Sequence, residues 1–401
     1  MPVKGLKKMD IIFMGALVPP DQAAQMSGLS VAGNKFQYNI VKYLARLENV
    51  HIYVLSVLPL ASFPGDKRIM IRKTRRKLWD NVEYFEIPYI NIPVIKQLTQ
   101  IRGFISCTKA LKKDKPILLT MNLFPYNGCP FVRLQQRYGL KGAAILADLP
   151  VDENYSRKGL SRAFRRLYNG ITAGNIKKCH DFIVLNEKAI KEYATSDAHY
   201  IVMEGGIDPE EIRESGKKDE NDHKKRIIYS GALTDYSGVA ELMEAMKYVS
   251  DESLVLEIYG SGKLAETVAQ AAAENENIVF GGKVSNEDML RIQSEAWLLV
   301  NPRPVEDPIA RVTFPSKIFE YMVSGTPVLT TRLNGFTSEY YDKMFFTDSN
   351  VPSVLAEKIS EISRLDRADL NKVAMAAREF VLKKKNWQCQ TQKIYRFLAG
   401  L

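Results

Sequence analysis

Short, unbroken apolar runs alternate along this chain with longer stretches in which apolar residues recur every three or four positions. The runs in the first half are Ile11 to Leu17, His51 to Leu58, Pro116 to Met121, Ala143 to Leu149 and Asp181 to Asn186. The second half has Arg226 to Leu233, Leu254 to Gly260, Asn277 to Gly282, Trp297 to Pro302 and Pro327 to Thr331. Strands this apolar, with no polar alternation, are covered on both faces, which predicts parallel sheets. Helical stretches such as Asn34 to Leu47 and Gly238 to Val249 supply the crossovers. The repetition reads as doubly wound α/β.

A chain of 401 residues exceeds one ordinary core, and two domains of about 150–200 residues are expected. The seam falls at "VMEGGIDPEEI" (Val202 to Ile212), where Gly205 and Gly206 free the backbone, followed by the charged tract Ser215 to Arg226. The predicted domains are 1–206 and 207–380, with a closing amphipathic helix over 381–401 that packs back on the first domain. In open parallel sheets ligands bind beyond the carboxyl ends of the strands, and two such sheets face each other across a cleft.

Composition narrows the chemistry. With 46% apolar and 25% charged residues the chain is an ordinary globular protein. Its four cysteines lie far apart with no CxxC pair, which suits a reducing cytoplasm and excludes a disulfide framework or zinc site. The four histidines are scattered as well. The basic, apolar start breaks at Pro19-Pro20 without a cleavage site, so a first strand is the better reading than a signal peptide. No run reaches the roughly 18–20 apolar residues of a membrane span. Residues 1–205 carry 31 Lys/Arg against 16 Asp/Glu, a surplus suited to nucleic acid, anionic lipid or a phosphorylated substrate, or to nothing beyond a solvated surface.

The strand ends of the second half hold the candidate chemistry. "YSGALTDYSG" places Ser230 and Gly231 where a strand turns toward a helix; either a ligand approaches there or the turn is merely tight. "YGSGKLAE" places Gly260 and Gly262 in a similar turn, but it satisfies neither the phosphate loop GxxxxGK[ST] nor GxGxxG. "VNPRPVEDPIARVTFPSK" carries Arg303, Arg311 and Lys317 into a helix that Ser316 would cap. A lysine at a helix start opposes the macrodipole, so an anion held against it explains it better than helix stability does. Glu320 follows one turn later, and forms either an internal pair with Lys317 or, as a two-fold acceptor, a clasp for sugar hydroxyls.

"NPRP" followed by "FPSKIFEYMVSGTPVL", with "YSGALTDYSGVAELMEAM", "VMEGGID" and "NWQCQTQKIYRFL", resembles the GT-B glycosyltransferases, in particular the large retaining family 4 and its members that build bacterial capsular and exopolysaccharides. The resemblance implies two Rossmann-like domains, the first for the acceptor and the second for the donor. It implies that Glu320 holds the donor ribose, that Lys317 contacts the diphosphate with Arg303 or Arg311 helping, and that Gly231 lets backbone approach the phosphates. It places Gly33 and Asn34 in an acceptor-side glycine loop and puts Asp148, in "LADLP", where many relatives carry a histidine facing the donor sugar. The reaction implied is transfer from a nucleoside-diphosphate sugar to an acceptor hydroxyl, with retention and without a metal or other cofactor. The implied partners are the donor and a glycan or lipid-linked acceptor, but not nucleic acid. Two basic, aromatic stretches, Arg72 to Phe85 and Arg157 to Gly170, would suit anionic lipid at the inner face of the membrane.

The chain departs from the pattern where Val312 replaces the first of two glutamates and where Ala232 and Ser237 stand in for the usual cations. A nucleotide-sugar epimerase of the same fold and a catalytically silent subunit of a polysaccharide-synthesis complex are the rival readings.

Overall fold

The computed structural model describes residues 8–23, 26, 28–150, 160–212 and 224–401, and for Leu160 and Ser161 the backbone alone. The first seven residues, Ser27, the 157–159 head of the second basic stretch and the charged tract up to residue 223 lie outside the described residues. The chain divides into two units, Met1–Gly205 with Trp387–Leu401, and Gly206–Asn386.

Among its described residues the first unit has ten strands: β1 (Met9–Gly15), β2 (Val50–Ser56), β3 (Met70–Ile71), β4 (Thr74–Trp79), β5 (Val82–Glu86), β6 (Tyr89–Ile90), β7 (Ile117–Met121), β8 (Gly142–Leu146), β9 (Asp181–Val184) and β10 (His199–Val202). Eight form one sheet in the order β10-β9-β8-β7-β1-β2-β5-β4, and β3 pairs with β6 alone. Every neighbour in the large sheet is parallel except β4 on β5. Its helices are α1 (Pro20–Ala23), α2 (Val31–Leu44), α3 (Ile95–Ala110), α4 (Pro125–Tyr138), α5 (Leu160–Ile176) and α6 (Glu187–Tyr193).

Burial on both faces explains the unbroken apolar runs. Along β1, Ile12 and Met14 join Phe104, Phe131 and Ile176 on one side, while Ile11 and Phe13 join Ile40 and Leu398 on the other. The sequence pattern did not reveal β4, because its cations look like a surface tract. It is an edge strand whose charges are paired: Arg75 with Glu83 (2.7 Å), Arg76 with Asp21 (2.7 Å) and Lys77 with Asp80 (2.9 Å). Charge on an edge strand discourages further strand pairing.

The second unit has one six-stranded parallel sheet in the order β13-β12-β11-β14-β15-β16. Its strands are β11 (Lys225–Ala232), β12 (Leu254–Ser261), β13 (Ile278–Gly282), β14 (Leu298–Asn301), β15 (Val328–Thr331) and β16 (Phe345–Thr347). Its helices are α7 (Val239–Ala245), α8 (Ala265–Glu274), α9 (Asn286–Glu295), α10 (Pro308–Val312), α11 (Lys317–Val323), α12 (Pro352–Ser363) and α13 (Arg367–Lys384). The last helix, α14 (Trp387–Gly400), belongs to the first unit, where Trp387 meets Phe36 edge-on at 5.2 Å. Among the described residues no helix is long and apolar enough to cross a membrane.

Candidate functional site

In the second unit the ends of β11 and β14 and the start of α11 converge. Lys317 opens α11, and its Nζ donates to the carbonyl of Ser230 at the end of β11 (2.9 Å). The residue is exposed, yet its ammonium is drawn against protein. Burial lowers its pKa below the ordinary lysine value, and only Glu320 opposes this. A lysine held short of water in this way gains from an anion brought to it.

Arg303, just past β14, is the second cation. Burial lowers its pKa as well, with Asp307, Tyr236 and Tyr229 acting in the opposite sense. Its Nε is buried with no hydrogen-bond partner among the described residues. Asp307 does not supply one, because its Oδ1 caps α10, accepting from the backbone of Ile309 (2.7 Å) and Ala310 (2.9 Å). An orphaned buried donor on a permanent cation costs stability unless something fills it. Thr234 Oγ1, in the turn after β11, is likewise buried and unpartnered.

Chain proximity here depends on glycine. Gly238 sits at φ +76°, and a Cβ on it would lie 1.9 Å from the carbonyl oxygen of Pro302. No other residue lets the turn before α7 lie this close to the Pro302–Arg303 segment. Gly260, at φ +145°, would put a Cβ 1.8 Å from the carbonyl of Gly231, and Gly262 likewise meets Leu233. The close approach that these glycines permit is therefore to the neighbouring strand β11 and its turn. At Gly231 a Cβ would meet the hydroxyl of Tyr229 at 2.6 Å.

Two serines take roles other than those expected. Ser230 is buried, and its hydroxyl is engaged by Tyr321 (3.2 Å) and by Gln293 Nε2 (3.1 Å). Tyr321 also accepts from the Ser230 backbone (2.9 Å). Ser230 thus ties α9 and α11 to β11 and presents its carbonyl to Lys317, so its hydroxyl is not turned to a ligand. Ser316 stands at the N-cap position of α11, but its backbone is helical and its side chain makes no capping bond. The side-chain cap in this segment belongs to the preceding helix, α10, where Asp307 supplies it.

Glu320 lies in the first turn of α11, half-buried. It forms no hydrogen bond and no ion pair among the described residues, so the internal pair with Lys317 is not made. Arg311 is exposed in the last turn of α10. Val312 is buried, two residues before Phe314, whose ring stacks on Phe319 (4.9 Å).

The first unit gathers different chemistry at its strand ends. Asn122 ends β7 in the left-handed region (φ +62°), and its Oδ1 accepts from the backbones of Ala147 and Asp148 (2.9 Å each). Its Nδ2 donates to the Asp148 carboxylate (3.0 Å). Asp148 is exposed as a residue, but desolvation of its carboxyl raises its pKa, and the Asn122 bond only partly offsets this. Tyr126 and Tyr168 are pushed above the ordinary phenol range by burial, with the Asp148 charge contributing. Asn122 was not among the residues singled out in the sequence, although Asn in "TMNLFPYN" is a recognisable left-handed turn former.

Gly33 and Asn34 lie in the first turn of α2, not in a loop. Ser30 caps that helix, accepting from the Gly33 backbone (3.2 Å), which moves its start ahead of Asn34. The Asn34 side chain is buried and bonded twice to Val18, through the backbone N–H (2.7 Å) and the carbonyl (2.8 Å). Asn34 is a structural tie for the turn after β1. Among the described residues no three His, Cys, Asp or Glu side chains come together as a metal-holding group.

The family match falls on this second unit, and the matches to solved structures span both. Residues 224–364 match the family described as "Glycosyl transferases group 1". No curated protein sequence matches the chain. Among solved structures, sucrose-phosphate synthase from Thermosynechococcus elongatus is 15% identical, with a TM-score of 0.69 and 98% of each chain covered. Anabaena Alr3699/HepE in complex with UDP is 14% identical, with a TM-score of 0.67, covering 98% of this chain and 100% of that one. WaaG, a glycosyltransferase involved in lipopolysaccharide biosynthesis, is 15% identical, with a TM-score of 0.60, again over 98% and 100%. The two-unit α/β architecture is that of the GT-B glycosyltransferases. With the family match, it supports sugar transfer as the class of activity.

Proposed function

We propose that the protein transfers a sugar from a nucleoside-diphosphate sugar to an acceptor hydroxyl, with retention and without a metal ion, in the synthesis of a polysaccharide or glycoconjugate. The observation that carries this reading is the pair of desolvated cations at the strand ends of the second unit, Lys317 and the orphaned Arg303. Glu320, uncommitted, lies one turn beyond Lys317.

The chemistry asks for such an arrangement. Breaking the bond between sugar and diphosphate leaves growing negative charge on the diphosphate oxygens. Fixed cations already short of water stabilise that charge without reorganising. In this reading Arg303 fills its empty Nε valence with a phosphate oxygen, and Lys317 adds a second contact. Arg311, exposed on α10, is placed to help from the same segment. Glu320 accepts hydrogen bonds from two ribose hydroxyls. Gly231, Gly260 and Gly262 keep this edge of the sheet free of side chains. Asp148, with its raised pKa and its Asn122 tether, is the acid–base-capable group offered to the acceptor. HepE has been seen with UDP and with UDP-glucose, which supports a nucleotide sugar as donor. WaaG is involved in lipopolysaccharide biosynthesis, which supports a glycan or lipid-linked acceptor.

The test is a thermal-shift panel of UDP, GDP, ADP and CDP. Ligand at 100 times its Kd stabilises the folded state by about 2.7 kcal/mol, so the right base stands out. Turnover is then followed as release of the free diphosphate from the matching nucleotide sugars, with and without acceptor. Stabilisation by one nucleotide together with release is the expected result. Stabilisation without release would favour a silent subunit, isomerised donor would favour an epimerase, and no stabilisation by any nucleotide would overturn the donor site.

A further inference from the structure

In the second unit β11 pairs with β14 at Ile227–Leu298 and Ile228–Leu299. This is where the strand order reverses, with β12 and β13 on one side of β11 and β14 to β16 on the other. The Arg226 carbonyl faces β14, since it accepts from the Trp297 backbone (2.9 Å). Strand groups repeat every two residues, so the backbone of Ser230, four residues on, faces the same way. Buried peptide groups in such a place are costly unless they are paired. Here side chains of α9 and α11 take them up in place of a strand.

The Tyr321 hydroxyl accepts from the Ser230 N–H (2.9 Å) and donates to the Ser230 carbonyl (3.1 Å). The same carbonyl accepts from Lys317 Nζ (2.9 Å). Lys317 and Tyr321 stand four residues apart on α11, so one face of the helix brings both to one oxygen. The Ser230 hydroxyl lies between Tyr321 (3.2 Å) and Gln293 Nε2 (3.1 Å). With Tyr321 donating to the carbonyl, that hydroxyl accepts from Gln293 and gives its own proton to Tyr321. Tyr321 and Gln293 are each 1% exposed. Burial pushes the Tyr321 phenol above its ordinary range, so it stays protonated and remains a donor.

The geometry points to Tyr321 as a positioning residue for Lys317: it fixes the Ser230 peptide and occupies one lone pair of its carbonyl, leaving the other to seat the ammonium. A carbonyl oxygen has two lone pairs, and both are used here. Sharing weakens the seat without removing it. The ammonium is kept from wandering among its rotamers, yet a phosphate oxygen can draw it away at little cost. The bland alternative is that Tyr321 only pairs buried backbone groups and that Lys317 meets the same oxygen incidentally. Gln293 provides the comparison, because it belongs to the same network and does not touch the Lys317 carbonyl. The inference deepens the proposed function and rests on it for the identity of the anion, but not for the seat itself.

The experiment labels the full chain with trace acetic anhydride over a range of pH and follows acylation of Lys317 by mass spectrometry. The free amine is the reactive form. Burial lowers the Lys317 pKa, with the Glu320 charge acting against it, so labelling in the parent should rise at lower pH than at exposed lysines. Tyr321→Phe leaves the carbonyl to Lys317 alone, and a hydrogen bond to the charged form favours that form. The curve should therefore move up by about half a pH unit or more. Replacing Tyr321 with 3-fluorotyrosine, a stronger donor of nearly the same size, should move it down, and serves if Tyr321→Phe does not fold. Gln293→Leu should leave it in place. A curve unmoved by either change at Tyr321, or moved equally by Gln293→Leu, would overturn the inference. In turnover, Tyr321→Phe should lower kcat about tenfold with KM little changed. That loss should vanish in the Lys317→Ala background, and an equal loss in both backgrounds would overturn the assignment as well. The labelling needs no nucleotide. A displaced curve in a protein that no nucleoside diphosphate stabilises would remove the donor reading and leave this one standing.

Discussion

The strand ends of the two sheets have been equipped in opposite ways. In the second unit they carry cations that have lost water and found few partners: Lys317 has one carbonyl, and the Arg303 Nε has none among the described residues. In the first unit they carry the Asn122 amide with its hydrogen bonds made and two half-buried phenols, around a carboxylate that burial pushes toward its neutral form. The lesson is electrostatic. One edge has already borne the cost of desolvating positive charge and is incomplete without an anion. The other is nearly neutral and suits an uncharged hydroxyl-bearing molecule.

The sharpest way to break this contrast is to remove the cations. Lys317→Ala and Arg303→Ala should each lower turnover by about 10²–10³-fold, the scale of losing a preorganised charge-stabilising donor. Melting temperatures should stay within a few degrees of the parent, because the charged form of each is penalised in the folded protein. Lys317 also gives the contrast a pH signature. Its lowered pKa means that nucleoside-diphosphate affinity should decline as pH rises through a range below that of an ordinary lysine, about 10.4. Titration calorimetry across pH checks this, and a Lys317→Ala variant that keeps the same decline would refute it.

A second change attacks the backbone beneath the cations. Gly238→Ala places a methyl against the Pro302 carbonyl and forces a strained φ, so a loss of about 2–4 kcal/mol is expected in denaturant unfolding. Asn122→Ala is the matching change in the first unit. It removes a left-handed residue and its bonds to the Ala147–Asp148 segment, and should cost about 2 kcal/mol while leaving nucleotide stabilisation untouched. Glu320→Gln is expected to weaken nucleotide binding about tenfold with little effect on folding, since its carboxylate has no internal partner to lose.

Asp148→Asn should have the smallest effect, seen only against pH. A carboxyl whose folded pKa is raised favours the folded state at pH below its unfolded value and loses that contribution as pH climbs through the folded value. The parent should therefore lose a little stability over that window and the Asn variant should not. Parallel curves for the two proteins would contradict the assignment.

Both sheets were legible because their strands are buried on both faces. Each of the ten apolar runs overlaps a strand, from β1 to β15. The strands that escaped lie mostly at edges. On β4 three consecutive cations hide the strand, β16 is three residues long, and β10 carries exposed His199 at its start. The cations Arg303 and Lys317 could be named from composition at a strand end, but their partners could not. That Ser230 would be buried under Tyr321 and Gln293 depends on contacts 91 and 63 residues apart in the chain. Likewise "SGLSVAGNK" reads as a glycine loop, because one cap bond from Ser30, invisible to periodicity, decides where α2 begins.

The placement of α14 has a consequence for how the chain is made. The second unit is one uninterrupted segment and can condense as soon as its residues leave the ribosome. The first unit meanwhile waits for Trp387, Ile394 and Leu398 to cover Ile40 and Phe13. During that interval a greasy face of the earliest-synthesised half stays wet, and its final closure joins residues more than three hundred positions apart. Slow, late docking and a need for chaperone shelter follow from that single long-range seam.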